Sequence, residues 1–482
     1  MSSPARHATR QRAARDVLMQ VVIRVLNLAL GVVVTALLAR ALGSDLYGQW
    51  STIFVVLGLM GYLASFGMEK VIVREVAAAP EREHEWFGAM MLLRLILLAP
   101  AVLASLGAVL LLHRSHQMLI SGLILVLGMP FDGIGVVSLV FQLRVKNLVP
   151  MIVLSIRSVL WAAAVAIIYW QHGDMIELAI AMAATNAAGS VVQTAAALRV
   201  LERWPRPSRK QLRALVRIGI PLGISGVLII SYARIDQLLV YSIAGSRPAG
   251  LYGAVYNLLD SAHFVPISVL TTLTPIMAAA WPADRERMLR VVRLAAELMT
   301  VASLGALAFV AAAATPVVRL IFGASFVAAA PALPVLGAVF VFICFGYLNG
   351  GLLTILGLQR RLLRISLIAL VVNVAGNLIL IPPLGFMGAA WMTLATEVLV
   401  CASSLRVILR ALELPFPKPG RIGRTVLAAS LLAGGLFALR AVGAPLAALI
   451  AAACLFYPSL LFGLRALAPA DVLVLLRRGT PV

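Results

Sequence analysis

The sequence predicts an all-α polytopic membrane protein with about 14 transmembrane helices, arranged as two parallel six-helix lobes plus two C-terminal helices. Three observations lead there. The chain is 62% hydrophobic and only 12% charged, about half the charged share of an ordinary globular domain. Its mean hydropathy is +1.01, and the apolar residues fall in runs of about twenty, the length that carries a helix across a bilayer core. Its cations gather at every second break between those runs, as membrane insertion places them. Runs this long mean helices rather than barrel strands, because a helix satisfies its own backbone inside lipid.

The predicted spans are 17–39, 50–68, 88–112, 118–141, 149–170, 176–198, 218–242, 251–280, 291–313, 330–356, 362–381, 387–409, 425–440 and 445–464. One side of the membrane receives Arg6, Arg10, Arg12 and Arg15, then Lys70, Arg74 and Arg82, then Arg144 and Lys146. The densest group follows at Arg199, Arg203, Arg206, Arg209, Lys210, Arg213 and Arg217, and the same side continues to Arg477 and Arg478. The other side holds only Arg40, Arg114, Arg247, Arg319 and Arg440. That asymmetry puts both termini in the cytoplasm, and a missed helix would invert it downstream. The division read from it is a cytoplasmic segment 1–16, an N-lobe 17–198, a basic linker 199–217, a C-lobe 218–409, a linker 410–424, a helix pair 425–464 and a cytoplasmic tail 465–482.

Several function classes drop out. The net charge of +21 sits beside hydrophobic spans, so it reads as a topology signal and not as a nucleic-acid surface. Cys344, Cys401 and Cys454 all fall inside apolar runs without pairing or ligand spacing, and read as small core residues. The basic N-terminus leads into a full-length span without a small-residue cleavage site, unlike a cleaved signal. No Walker loop, HExxH or CxxC motif occurs, and His113 and His116 read as solvated. No metal or cofactor is expected. A membrane glycosyltransferase would need carboxylates on an outer loop. The outer loops are short and acid-poor, with Asp45 a lone candidate, so the chain is not expected to be an enzyme.

The chain repeats itself at about 205 residues. Leu46-Tyr47-Gly48 opens the second span and Leu251-Tyr252-Gly253 the eighth; Leu198-Arg199-Val200 closes the sixth and Leu405-Arg406-Val407 the twelfth. Six helices per unit is an even number, so both copies share one orientation, a parallel repeat about the membrane normal.

Charged groups inside a span cost roughly 2.5–3.5 kcal/mol on insertion scales and therefore face protein or water. Four arginines remain there: Arg24, Arg94, Arg157 and Arg234. The first span carries Gln20, Arg24, Asn27, Gly31 and Thr35 on one helical face, which suits either a lumen or interhelix bonding. Arg234 and Asp236, two residues apart, point to different sides and need separate partners. The eighth span carries Tyr256, Asp260, His263, Thr271 and Thr274 on a rough stripe, kinked near Pro266 and Pro275. The twelfth aligns Thr393, Glu397, Cys401 and Ser404, and Asn373 with Asn377 suits interhelix hydrogen bonding on the eleventh. Arg94 suits snorkelling toward an interface, and Glu297 suits pairing with a basic residue near its helix start.

The stretch LARALGSDLYGQW at 38–50, followed by GMEKVIVREVA at 67–77, resembles the opening of bacterial polysaccharide-transporter proteins. These are the O-antigen and exopolysaccharide flippases of the multidrug/oligosaccharidyl-lipid/polysaccharide (MOP) exporter superfamily. IGIPLGISGVLIISYARIDQLLV at 218–240 with GLYGAVYNLLD at 250–260 resembles the start of the second lobe, and 317–336 and 373–397 resemble later segments. The resemblance implies alternating access by two six-helix lobes around a central cavity. The cargo implied is an undecaprenyl-diphosphate-linked oligosaccharide turned from the inner to the outer leaflet of the bacterial cytoplasmic membrane, for surface polysaccharide synthesis. Arg24, Asn27, Arg157 and Arg234 are then the expected cationic-cavity residues, since guanidinium holds phosphate bidentately and keeps its charge. Asp236, Glu397, Asp260 and His263 are the candidates for coupling to H⁺ or Na⁺. Membrane lipids and a polysaccharide polymerase are the implied partners. Two alternatives share the superfamily: a flippase for the peptidoglycan lipid precursor, and a cation-coupled drug antiporter.

Overall fold

The computed structural model describes residues 4–65, 68–134, 139–144, 148–201, 204–415 and 420–466. All regular structure there is helical. The helices are α1 (Pro4–Ser65), α2 (Met68–Ala78), α3 (Glu83–Leu112), α4 (His116–Ile134), α5 (Leu139–Leu143), α6 (Leu148–Trp170), α7 (Met175–Val200) and α8 (Arg209–Ala244). They continue as α9 (Ser246–Ala262), α10 (Phe264–Ala280), α11 (Arg285–Phe322), α12 (Ala332–Ile355), α13 (Gln359–Leu384), α14 (Phe386–Ala411), α15 (Gly420–Ala441) and α16 (Leu446–Gly463). Among the described residues 11 helices are long and apolar enough to cross a membrane, or 12 if the bent segments Gly226–Tyr232 and Arg234–Ala244 make one span. Their flanks expose Leu111, Trp170, Ile379 and Leu455, which water would penalise and hydrocarbon would not.

Element boundaries differ from the sequence reading at several places. The predicted spans 17–39 and 50–68 fall on one helical run, α1, interrupted only at Gly43 (φ 65°, ψ 175°). That conformation is open essentially to glycine alone, so one residue makes the break and no polar loop is needed. Span 118–141 falls on two helices, α4 and α5. Much of the linker 199–217 is helix, because α8 starts at Arg209 and buries Gln211 and Leu215 on one side. Span 251–280 is broken at His263 and not at Pro266 itself. A proline has no N–H for the carbonyl four residues back, so the ladder fails one turn earlier.

The chain divides into two compact units, Met1–Gly250 and Leu251–Val482. In the first, α8 packs on α1, α2 and α3. A core of Met68, Ile72, Phe87, Met90, Phe141 and Leu215 joins α2, α3, α5 and α8. Inside this unit Gly48 and Gly250 face each other reciprocally. A Cβ on Gly48 would lie 1.9 Å from the Ser246 carbonyl oxygen, and one on Gly250 would lie 1.9 Å from that of Ser44. Gly43 and Gly245 (φ 105°, ψ 178°) both break helices just before those serines. Locally the geometric match therefore runs at an offset of 202, pairing Gly43 with Gly245 and Gly48 with Gly250. The Leu-Tyr-Gly sequence match at 205 lies nearly one helical turn out of this register.

In the second unit, α11 packs on α12, α15 and α16. Ala308, Ala312, Leu432, Leu436, Leu449 and Ala452 form the seam holding the last two helices. Tyr457 of α16 seats against Gly305 of α11, where a Cβ would lie 2.4 Å from its ring, and its hydroxyl donates to the Val301 carbonyl at 2.7 Å. Cys344 is buried as expected, but Cys454 is exposed; it sits on an outer flank and not in the core.

Candidate functional site: buried polar groups in each unit

In the first unit the polar residues singled out from the sequence lie on α1, α6 and α8. Asn27 of α1 donates from Nδ2 to Ser155 Oγ of α6 at 2.9 Å, an interhelix bond. Arg24 lies on the same helix, with its side chain outside the described residues. Arg157 of α6 lies across Gly189 of α7, its Cδ 2.9 Å from where a Cβ would stand. Glycine there gives the arginine stem its channel. One turn on, Trp161 stacks on Trp50 with ring centroids 6.5 Å apart, and Phe54 leans on Trp50 at 5.0 Å.

Arg234 and Asp236 follow the 43° bend in α8. Asp236 is 2% exposed and accepts from the Gln237 backbone N–H at 2.8 Å. Gln237 in turn donates to Ser51 Oγ at 3.1 Å and to the Ala249 carbonyl at 3.0 Å. Both Arg234 and Asp236 are engaged by partners. At the start of the bent segment the Tyr62 hydroxyl sits in the notch left by Gly226, where a Cβ would come within 1.7 Å.

Asp45 is structural. It accepts from Gln49 Nε2 at 3.0 Å and from the Ser246 hydroxyl, while Gln49 accepts from Ser115. Beside it Arg114 donates to the Tyr241 and Ser242 carbonyls at 3.2 and 3.3 Å and lies over the Tyr241 ring.

The second unit is built from carboxylates. On α9, Asp260 Oδ1 stands 3.9 Å from His263 Nδ1. The His263 ring meets Tyr347 of α12 edge-on, with centroids 5.9 Å apart. Glu397 of α14 is 6% exposed. Its Oε2 lies 3.8 Å from the Cβ position of Gly346, and Tyr347 is within electrostatic reach of both Asp260 and Glu397. Helices α9, α12 and α14 thus bring Asp260, His263 and Glu397 into one neighbourhood. Asp236, grouped with them on sequence grounds, lies in the first unit.

Around this neighbourhood, Tyr252 and Thr393 share a hydrogen bond at 3.2 Å, and Asn349 donates to Ser404 Oγ at 2.9 Å. Asn377 donates to Asn373 Oδ1 at 2.9 Å, and Asn373 to Thr396 Oγ1 at 3.2 Å. The Asn373–Thr396 bond is the interhelix bond expected of the pair, while the Asn377–Asn373 bond runs within α13. Glu297 pairs with Arg421 of α15 at 3.1 Å and not with a base at its own helix start. Arg94 pairs with Glu69 at 3.8 Å. Among the described residues no group of three or more His, Cys, Asp or Glu is placed to hold a metal ion.

Tyr347, Gly189, Gly226 and Tyr62 escaped the sequence reading. Only the helix-internal glycines carried a trace of them, as positions where a neighbour approaches closely.

Residues 13–281 match the family described as polysaccharide biosynthesis protein. The chain belongs to that family. No curated protein matches the chain in sequence. Among solved structures, the lipid II flippase MurJ in its inward closed conformation is similar at 13% identity and a TM-score of 0.74, covering 93% of this chain and 99% of its own. An inward-facing multidrug resistance MATE family transporter of the MOP superfamily is similar at 18% identity and 0.67, over 80% and 94% of the two chains. A MOP superfamily transporter from Pyrococcus furiosus, described as having a binding pocket of reverse polarity, is similar at 17% identity and 0.53, over 81% and 93%. The chain shares its fold with MurJ and with MOP superfamily transporters, and it belongs to the polysaccharide biosynthesis protein family.

Proposed function

We propose that this family member is an alternating-access flippase for a lipid-diphosphate-linked saccharide in the bacterial cytoplasmic membrane. The observation that carries the reading is Arg157, an arginine within a membrane span whose stem lies across Gly189. Together with Arg234, and with Arg24 from the sequence, it offers cations to a diphosphate at a depth where a cation costs several kcal/mol to keep without use. The membrane potential assists, since an anion crossing the full field outward gains about 2.3 kcal/mol per charge per 100 mV. Asn27, occupied by Ser155, fits the role of a spacer better than that of a ligand.

The reading keeps fourteen spans, with both termini cytoplasmic. Dividing α1 at Gly43, and counting α4 and the bent α8 as spans beside the eleven, gives that number. Asp260, His263 and Glu397 are the proposed coupling groups for an inward H⁺ or Na⁺. Asp236 is left as an interhelix group near Arg234.

For the cargo, the fold likeness supports the peptidoglycan lipid precursor better than the surface oligosaccharide, because the MurJ likeness spans nearly the whole of both chains. The family match keeps the oligosaccharide in view. A drug antiporter is disfavoured by the arginines of the first unit. Depletion separates the two main cargoes: lysis is expected for the precursor, and loss of a surface glycan in intact cells for the oligosaccharide. Undiminished translocation by Arg157→Ala and Arg234→Ala proteins in vesicles would remove the diphosphate reading for either.

A further inference from the structure

The basic segment between α7 and α8 does more than mark topology. Its backbone is strapped onto α3. The Arg206 N–H donates to the His84 carbonyl at 3.0 Å, and a Cβ on Gly88 would lie 2.2 Å from the Arg206 carbonyl carbon. Pro205 is buried in this seat. Three residues on, α8 begins, and its first two turns are amphipathic. Gln211 and Leu215 are buried, the latter in the core beside Phe87, while Arg209, Arg213 and Arg217, four apart, are exposed on one stripe with Lys210 beside them. Among the described residues none of these four cations makes an ion pair, whereas Arg144 nearby pairs with Glu83 at 3.0 Å. Trp204, 69% exposed, flanks the stripe.

From this we infer that the stripe Arg209–Arg213–Arg217, with Lys210 and Trp204, is a docking surface for anionic phospholipid headgroups of the leaflet it faces. Fixed, unpaired cations beside an apolar span meet the headgroup phosphates, and an exposed tryptophan suits the headgroup level. Because the strap is anchored at Gly88, the cations are held on a rigid element and are not on a loose tether. The soluble alternative, a free phosphate, lacks the acyl chains that would lie along the neighbouring spans.

The test uses the full chain in detergent micelles doped with phosphatidylglycerol or phosphatidylcholine, with retained lipid quantified by mass spectrometry. Orientation does not exist in a micelle, so the result is independent of the cargo reading and of the proposed topology. The wild type is expected to retain phosphatidylglycerol preferentially, and less as salt rises. The variant Arg209→Gln/Arg213→Gln/Arg217→Gln is expected to lose about fivefold per cation, on the order of a hundredfold in all. The matching Lys variant keeps the charge and is expected to stay near wild type, which separates headgroup binding from damage to the helix. Equal retention of both lipids by the wild type, retention insensitive to salt, or displacement of phosphatidylglycerol by inorganic phosphate would each overturn the inference. Unimpaired retention by a folded Gln variant would do the same.

Discussion

The two units differ in the charged groups set within their spans, although each buries a carboxylate, Asp236 in the first and Glu397 in the second. In the first, the groups set within the spans are led by arginines, Arg157 against Gly189 and Arg234 beyond the α8 bend. In the second they are Asp260 and Glu397, with His263 and Tyr347 between them. The packing devices are alike. Tyr62 fills the notch at Gly226 in the first unit, and Tyr457 fills the notch at Gly305 in the second. Under the proposed reading, the half-buried arginines of the first unit hold the anion and the Asp260–His263–Glu397 neighbourhood of the second couples a cation. The difference lies in a few side chains, so point substitutions can test it.

The largest effect is expected in the first unit. Arg157→Ala removes a charge-assisted contact of about 1.5–3 kcal/mol, which is up to about two orders of magnitude in translocation of a lipid-linked saccharide by reconstituted vesicles. Arg157→Lys should recover only part, because one ammonium cannot reproduce the planar fork. Equal loss from Glu397→Gln in the absence of any ion gradient would break the comparison, since the second unit would then be handling cargo as well.

Next comes the second unit. Glu397→Gln should leave gradient-free exchange largely intact and abolish its acceleration by an inward H⁺ or Na⁺ gradient. One charge moved through 100 mV is worth about 2.3 kcal/mol, so the lost acceleration can reach roughly fiftyfold. Flipping rates measured with and without the gradient give the ratio directly. Asp260→Asn should act in the same direction, and Asp236→Asn should not if coupling belongs to the second unit alone.

The frame was more legible than the sites. Each span announces itself, because about twenty apolar residues in a row have no other stable use. The break in α1 was hidden because it consists of one glycine whose φ hydropathy does not record. The start of α8 at Arg209 was masked by its charge, although 211 and 215 against 209, 213 and 217 already form an amphipathic pattern. Within the sites, Asp260 with His263 and Thr393 with Glu397 were readable as helix faces. Tyr347 was not, since it reaches them from α12, more than eighty residues beyond α9 in the chain. Asp236 lies in the other unit, and a lone carboxylate carries no mark of the helices that will surround it.

A smaller and purely structural effect is expected at the reciprocal glycines. Gly48→Ala and Gly250→Ala each drive a methyl into a serine carbonyl, and overpacking of this kind costs about 1–3 kcal/mol. The two should lower the unfolding temperature in detergent by similar amounts, because each glycine meets the other's neighbour in the same way. Unequal costs would mean that the 202-residue correspondence is a coincidence of packing.

The smallest effect sharpens the comparison of the tyrosine notches. Tyr457→Phe keeps the ring in the Gly305 notch and deletes only the hydroxyl bonded to the Val301 carbonyl at 2.7 Å. A single neutral hydrogen bond contributes about 1 kcal/mol. The Val301 carbonyl also retains its helical partner, so the cost should fall at or below that figure. Tyr62→Phe removes a hydroxyl that fills space against Gly226 and leaves a gap at the start of the bent segment. If the notches are only packing devices, both variants lose a little stability and neither changes translocation. If the α8 bend takes part in the transport cycle, Tyr62→Phe changes the translocation rate while Tyr457→Phe does not. Paired measurements of unfolding temperature and flipping rate on the two variants distinguish these outcomes.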